Sequence, residues 1–267
     1  MSKSISVGVI GAGIMGEALI AALISYGVDP QLVTISEKRK ERADELASRY
    51  GIKVDDIEKN VSTADALLLV VKPQDMFGVL EQIKSSINTA AVVVTFAAGK
   101  KIAFISDALG TSNPVVRVMP NTATLVGAGM AAISLGDGVS AEQTNFVTGF
   151  LAATGKVVQV PEDLQDAVTA TSGSGPAYFF RFVEAMVDSA QELGLSSEVA
   201  TQLTVQTIVG AAKLLEESGK SATTLRENVT SPNGTTAAAL ASFDDAQISK
   251  IVATAMKAAR DRSQELA

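Results

Sequence analysis

A chain of 267 residues has room for one large or two modest domains, and 47% hydrophobic against 19% charged residues gives it a sizeable core, which excludes a disordered polymer. A net charge of -7 disfavours nonspecific nucleic-acid binding. Histidine and cysteine are both absent, which removes Ser-His-Asp and Cys-His nucleophiles, Cys/His zinc sites, histidine proton relays and disulfides.

Proton chemistry therefore falls to carboxylates, Lys, Tyr, hydroxyls or water, with no metal expected. The lack of disulfides fits a reducing compartment, so a cytoplasmic location is expected. Lys3 followed by apolar residues 5–14 has the outline of a signal peptide. The glycines at 8, 11, 13 and 16 and Glu17 fit a strand, a loop and a helix better. No stretch of 18 uncharged apolar residues suggests a membrane span.

Residues 5–10 predict a short buried strand, residues 17–26 a helix and residues 31–36 the next strand. Between the first two lies G-x-G-x-x-G, made by Gly11, Gly13 and Gly16 with Ile14 and Met15 inside it. Gly11 permits the tight turn, Gly13 the close approach of a pyrophosphate, and Gly16 the packing of helix on strand. This predicts a dinucleotide site; a glycine-rich turn without a ligand is the alternative. An NAD site carries Asp or Glu at the end of the second strand. Here Ser36 stands there, and Lys38 and Arg39 follow, a combination that suits the 2′-phosphate of NADPH. Glu37 runs against it and keeps NADH possible, and Lys38–Arg42 also fits a solvated first helical turn.

Residues 66–71 predict a continuous apolar strand ending at Val71, Lys72 and Pro73, with Pro73 able to start a helix through residue 87. Residues 91–96 predict another, closed by Ala97, Ala98 and Gly99, small residues that leave room for a flat ring. Residues 115–119 end at Met119, Pro120 and Asn121. Strands at 128–134 and 156–160 flank a helix near 141–153. The carboxyl edge of such a sheet is where ligands bind.

After Pro161 the pattern becomes helical: 163–170, a tight turn at 172–176, then 178–193, 197–217, 221–227, 235–242 and 244–265. The helices at 178–193 and 197–217 are apolar around most of their circumference, and too few others remain to cover both. A homo-oligomer, at least a dimer through this half, is expected. The fold class is therefore α/β, an N-terminal Rossmann-type doubly wound sheet over residues 1–161 followed by an all-helical dimerisation and substrate-binding domain over residues 162–267.

Late in the chain Ser231, Pro232, Asn233 and Gly234 form a turn that opens an alanine-rich helix at Thr235 and Thr236. A helix N-terminus there offers unpaired N–H groups to an anion. Helix capping alone is the competing role for the two threonines. Tyr178 and Arg181 fit core or interface packing, and for Asn121 and Thr122 a pocket role and a plain turn stand level.

Residues 116–122 (VRVMPNT), 172–178 (SGSGPAY) and 229–236 (VTSPNGTT) together resemble Δ1-pyrroline-5-carboxylate reductases. With the glycine loop, residues 71–73 and residues 97–99, the likeness spans essentially the whole chain. Asn233 departs from the family's usual Gly after Ser-Pro, although Asn tolerates left-handed backbone. The resemblance implies reduction of the C=N bond of pyrroline-5-carboxylate to L-proline by NADPH or NADH, and an interlocked dimer whose site lies between domains of two chains. It implies that Thr236 hydrogen-bonds the ring nitrogen while the loop 231–236 holds the substrate carboxylate. A 3-hydroxyacid dehydrogenase shares the glycine opening but needs a Lys base, and no Lys, Asn or His occurs from Val157 through Ala212. A non-catalytic dinucleotide-binding scaffold is the remaining alternative.

Overall fold

A computed structural model describes residues 4–266, so Lys3 lies outside the described residues. The chain divides into two compact units, Gly175–Ala258 and the remainder, in which the residues from Ala259 onward join those up to Ser174.

The larger unit is built on an eight-stranded sheet. Its strands are β1 (Val7–Ile10), β2 (Val33–Ser36), β3 (Lys53–Val54), β4 (Ala66–Leu69), β5 (Val92–Thr95), β6 (Val115–Met119), β7 (Gly129–Leu135) and β8 (Gly155–Gln159). The order is β3-β2-β1-β4-β5-β6-β7-β8. The first six strands are parallel, β7 is antiparallel to β6, and β8 runs parallel to β7. The chain moves outward from β1 through β2 to β3, then returns to place β4 on the other side of β1. That reversal is the switch point at which such sheets bind ligands.

Helices α1 (Ile14–Ser25), α2 (Lys40–Tyr50), α3 (Ile57–Thr63), α4 (Met76–Ile83), α5 (Ile102–Leu109) and α6 (Ala141–Ala152) belong to this unit. Every residue of β1, β4 and β5 is buried, as expected for parallel strands covered on both faces. Alternate residues of β4 feed separate cores: Ala66 and Leu68 join Leu19, Ile35 and Phe150, while Leu67 and Leu69 join Met76, Leu80 and Ile105. Each fully buried leucine contributes about 1.5–3 kcal/mol.

The structure departs from the sequence expectations at identifiable places. β3 has only two residues, both exposed, so no apolar run announces it. Pro73 does not start a helix: Asp75 N–H donates to the Lys72 carbonyl at 2.9 Å, a turn intervenes, and α4 begins at Met76. Instead of a helix and a tight turn, residues 162–173 form a 3-10 turn (Glu162–Leu164), α7 (Gln165–Val168) and a π-helical turn (Thr169–Gly173). This segment packs on the sheet. Gln165 is fully buried and donates to the Ala132 carbonyl and Ser134 Oγ of β7, and buried Arg117 of β6 pairs with Glu162 at 3.4 Å and Asp166 at 3.5 Å. The change to helical pattern at residue 161 therefore precedes the unit boundary at Ser174.

The second unit contains α8 (Gly175–Glu192), α9 (Ser197–Glu217), α10 (Ala222–Asn228), α11 (Thr235–Asp245) and the first part of α12 (Ile248–Glu265). α8 is stopped by Gly194 at φ +101°, and α9 is capped by Ser196, whose hydroxyl accepts from Val199 N–H. The helix expected over 244–265 is broken at Gln247, which sits at φ +58°. In this unit only Gly175, Ala200 and Thr204 are buried. Among the described residues no helix is long and apolar enough to cross a membrane.

Candidate active site

The sheet places five of the sequence-marked segments at one edge: the β1–α1 loop and the ends of β2, β4, β5 and β6. At the centre, Gly11 adopts φ +89°, and a Cβ there would lie 2.6 Å from the Val70 carbonyl oxygen and 3.3 Å from Val71 Cγ1. Only glycine meets both demands. A Cβ on Gly16 would collide with the Gly11 carbonyl oxygen, which fixes the close packing of α1 on β1. Gly13 differs: a Cβ there would meet nothing within 4 Å. The packing of the fold therefore does not require glycine there, and its backbone is open to solvent-side approach.

Gly13 is also the N-cap of α1 and supplies no side-chain cap. Among the described residues, the backbone N–H groups of Gly13, Ile14, Met15 and Gly16 donate to no acceptor. Ile14 beside them is 70% exposed. Unpaired donors, the positive end of a helix dipole and an open backbone form a cradle for a pyrophosphate. The residues present fit a nicotinamide dinucleotide.

Ala12 between the glycines is held from both sides. Its N–H donates to Glu37 Oε2 at 3.0 Å, and its carbonyl accepts from Arg42 Nε at 3.2 Å. Arg42 also pairs with Glu17 of α1 and with Glu45. Burial and these bonds act in opposite directions on Glu37: burial raises its carboxyl, while Arg39 and the N–H groups of Arg39 and Ala12 outweigh it and hold it at about 2. Glu37, Ala12 and Arg42 complete the loop, yet of the three only Glu37 carries a signal in sequence, as an acid just past the second strand.

Ser36 closes β2, as its sequence position places it, and is bonded into the scaffold. Its hydroxyl donates to the Asp55 carbonyl at 3.0 Å and accepts from Asn60 Nδ2 at 2.9 Å, so its proton is committed to the scaffold. Arg39 is bound to Glu37 through Nε at 2.9 Å, and Lys38 is exposed. Val71 lies against Gly11; Lys72 and Pro73 form the turn after it. Ala97 is buried and Ala98 half-buried. Gly99 adopts φ +75°, and a Cβ there would lie 2.7 Å from both Leu266 Cβ and the Ser263 carbonyl oxygen. The space beside Gly99 is thus taken by the chain's own last turn, whose Ser263 Oγ donates to Asp166 at 2.7 Å.

Asn121 is likewise spent on the scaffold. Its Nδ2 donates to the Ser172 carbonyl at 3.1 Å, and its Oδ1 accepts from Met130 N–H at 3.1 Å. Met119 lies against Gly173, where a Cβ would come within 2.5 Å of its Cε, and Pro120 is buried. These residues join β6 to β7 and to the π-helical turn.

In the helical unit, the turn before α11 has the left-handed residue it needs: Asn233 sits at φ +59°. Gly234 N–H closes the turn on the Ser231 carbonyl at 3.0 Å, with Pro232 and Asn233 at the central positions, as in a type II turn. Gly234 is the N-cap of α11 and provides no side-chain cap. The donor expected at Gly234 is therefore consumed, and the open ones are Thr235, Thr236 and Ala237. Among the described residues neither threonine hydroxyl has a hydrogen-bond partner, which leaves capping unsupported as their role. Thr235 is exposed and Thr236 half-buried.

Residues 162–266 match the family described as pyrroline-5-carboxylate reductase dimerisation, and residues 6–99 match NADP oxidoreductase, coenzyme F420-dependent. The chain is 41% identical over 265 residues to a pyrroline-5-carboxylate reductase of Corynebacterium melassecola, covering 98% of each. It is similar to the solved pyrroline-5-carboxylate reductase of Coxiella burnetii, with a TM-score of 0.91 and 32% identity over 99% of both chains. It also resembles the Plasmodium falciparum pyrroline carboxylate reductase solved with NADP bound, at a TM-score of 0.90 and 27% identity, covering 100% of this chain and 99% of that one.

Proposed function

This chain belongs to the pyrroline-5-carboxylate reductase family, and from that premise we propose how its residues divide the work. The reaction is reduction of the C=N bond of 1-pyrroline-5-carboxylate to L-proline by NAD(P)H, the last step of proline biosynthesis. The chain works as a homo-oligomer through its helical half, which its exposed apolar helices favour. We assign residues 1–161 to coenzyme binding and residues 162–267 to dimerisation and substrate binding, and place the protein in the cytoplasm.

The observation that carries the assignment of roles is the pair of uncapped helix N-termini. The first, at Gly13–Gly16, holds the coenzyme pyrophosphate; when bound, the nicotinamide supplies the hydride. The second, at Thr235–Ala237, receives the substrate carboxylate through three N–H groups and needs no arginine. Ser231, Asn233 and Gly234 shape that turn, and Met119, Pro120 and Asn121 support the sheet edge. A protonated cyclic imine is already electrophilic, so the site has to orient it more than to acidify it. Thr236 does so, its hydroxyl accepting from the ring N–H, and water provides the proton. This explains how a chain without histidine or cysteine performs the reduction.

The test is turnover. Purified protein mixed with pyrroline-5-carboxylate is expected to consume NADPH or NADH and to form one proline per coenzyme oxidised. Coenzyme binding without consumption contradicts the assignment and leaves a scaffold. Oxidation of 3-hydroxyacids with no imine reduction contradicts it in favour of a dehydrogenase.

A further inference from the structure

Resting on the assignment of the β1–α1 loop to the coenzyme, we propose that Glu37 is the residue through which this chain discriminates between the two nicotinamide coenzymes. Its carboxylate accepts a ribose hydroxyl of NADH and opposes the 2′-phosphate of NADPH, while Arg39 is the cation that a 2′-phosphate has to detach from it.

Position comes first. Ser36 pairs with Ile10 across β1 and β2, and its carbonyl accepts Gly11 N–H at 3.0 Å, so the end of β2 lies beside the glycine loop. Glu37 is the next residue. Its Oε2 holds Ala12 N–H inside that loop at 3.0 Å. Its Oε1 accepts from Arg39 N–H at 3.1 Å and from Arg39 Nε at 2.9 Å. An acid at the end of the second strand is the group that receives the adenosine ribose in dinucleotide sites. The serine before it has its hydroxyl committed to Asp55 and Asn60 and offers no donor to a phosphate.

Burial and anchoring are divided unequally between the two partners. The Glu37 side chain is 9% exposed and anchored to backbone, whereas that of Arg39 is 64% exposed and anchored to Glu37 alone among the described residues. A ribose hydroxyl adds one donor to a carboxylate that is already in place, and nothing has to move. A 2′-phosphate carries about 1.5–2 negative charges at neutral pH and meets the same carboxylate with like sign. Relief requires Arg39 to leave Glu37 and turn to the phosphate. It leaves Glu37 with its backbone bonds only, beside a dianion. Both coenzymes can bind, but Glu37 penalises the phosphorylated one, and Arg39 limits the penalty.

The experiment compares kcat/KM for NADPH and NADH, with pyrroline-5-carboxylate saturating, in the unsubstituted enzyme, Glu37→Gln and Arg39→Ala. Glutamine retains an oxygen for Ala12 N–H, so the loop keeps its bond while the charge is lost. The NADPH-to-NADH ratio is expected to rise about tenfold or more in Glu37→Gln and to fall in Arg39→Ala. A Glu37→Gln ratio within twofold of the unsubstituted enzyme overturns the proposal, as does a rise in Arg39→Ala. Calorimetric titration with NADP+ and NAD+ gives the same ratio without catalysis, so a variant that binds but does not turn over still decides the matter. If the unsubstituted enzyme reduces no imine with either coenzyme, the reductase assignment fails instead, and the binding ratios continue to test Glu37 by themselves.

Discussion

The sheet unit and the helical unit have similarly apolar sequences and opposite fates in a single chain. In the first, β1, β4 and β5 are buried at every position. In the second, residues 175–258 bury only Gly175, Ala200 and Thr204. Phe179 and Phe180 of α8 are 62% and 64% exposed, and Leu203 and Leu214 of α9 are 55% and 58% exposed. Apolar pattern in a sequence predicts burial in the working assembly, and here one chain buries the apolar residues of one unit and leaves those of the other exposed. Cover by a second copy agrees with the dimerisation family matched by residues 162–266.

The contrast is broken or sharpened by substitutions confined to one unit. The largest effect is expected from charges on the exposed helices. Phe180→Asp with Leu214→Asp puts two unpaired carboxylates where the second copy packs, at a cost of several kcal/mol, about 3–5 for an uncompensated buried charge. Sedimentation is expected to show monomers and the turnover assay no activity, while NADP+ still binds, because the sheet unit has its own core. Dimers that persist with full activity contradict the assignment of this face.

Gly13→Ala makes the converse test. The added methyl meets no atom of the fold within 4 Å, so melting temperature and oligomeric state are expected to hold. It stands where the pyrophosphate has to approach. Titration is expected to show at least about tenfold weaker coenzyme binding, roughly the loss of one or two hydrogen bonds to a charged group. Unchanged coenzyme affinity removes Gly13 from the site.

Much of the sheet unit was legible because parallel strands buried on both faces are continuous apolar runs; β6 matches residues 115–119 at both ends. Its failures have one kind of cause. β3 lacks an apolar run, and the π-helical turn at Thr169–Gly173 satisfies its backbone in a way that no local residue announces. At the site, the glycine loop was legible since its constraints are on backbone. The scaffold bonds of Ser36 and Asn121 were not, because their partners come from afar: Asp55 and Asn60 lie 19 and 24 residues from Ser36, and Ser172 lies 51 from Asn121. Gly99 was read as open space, and its cover arrives from Ser263 and Leu266 at the other end of the chain. In the helical unit α9 matches residues 197–217, and the turn at Asn233 has the left-handed backbone its sequence required.

The smallest expected loss bears on the central claim, that this chain reduces its substrate by orientation without a side-chain acid. Thr236→Ala removes one hydroxyl that has no partner within the described protein. If Thr236 only orients the ring nitrogen, kcat/KM is expected to fall by about 2- to 13-fold, equivalent to 0.5–1.5 kcal/mol for an ordinary hydrogen bond. A fall of roughly 100- to 10,000-fold, the scale of a general acid, contradicts the claim and makes Thr236 the proton donor.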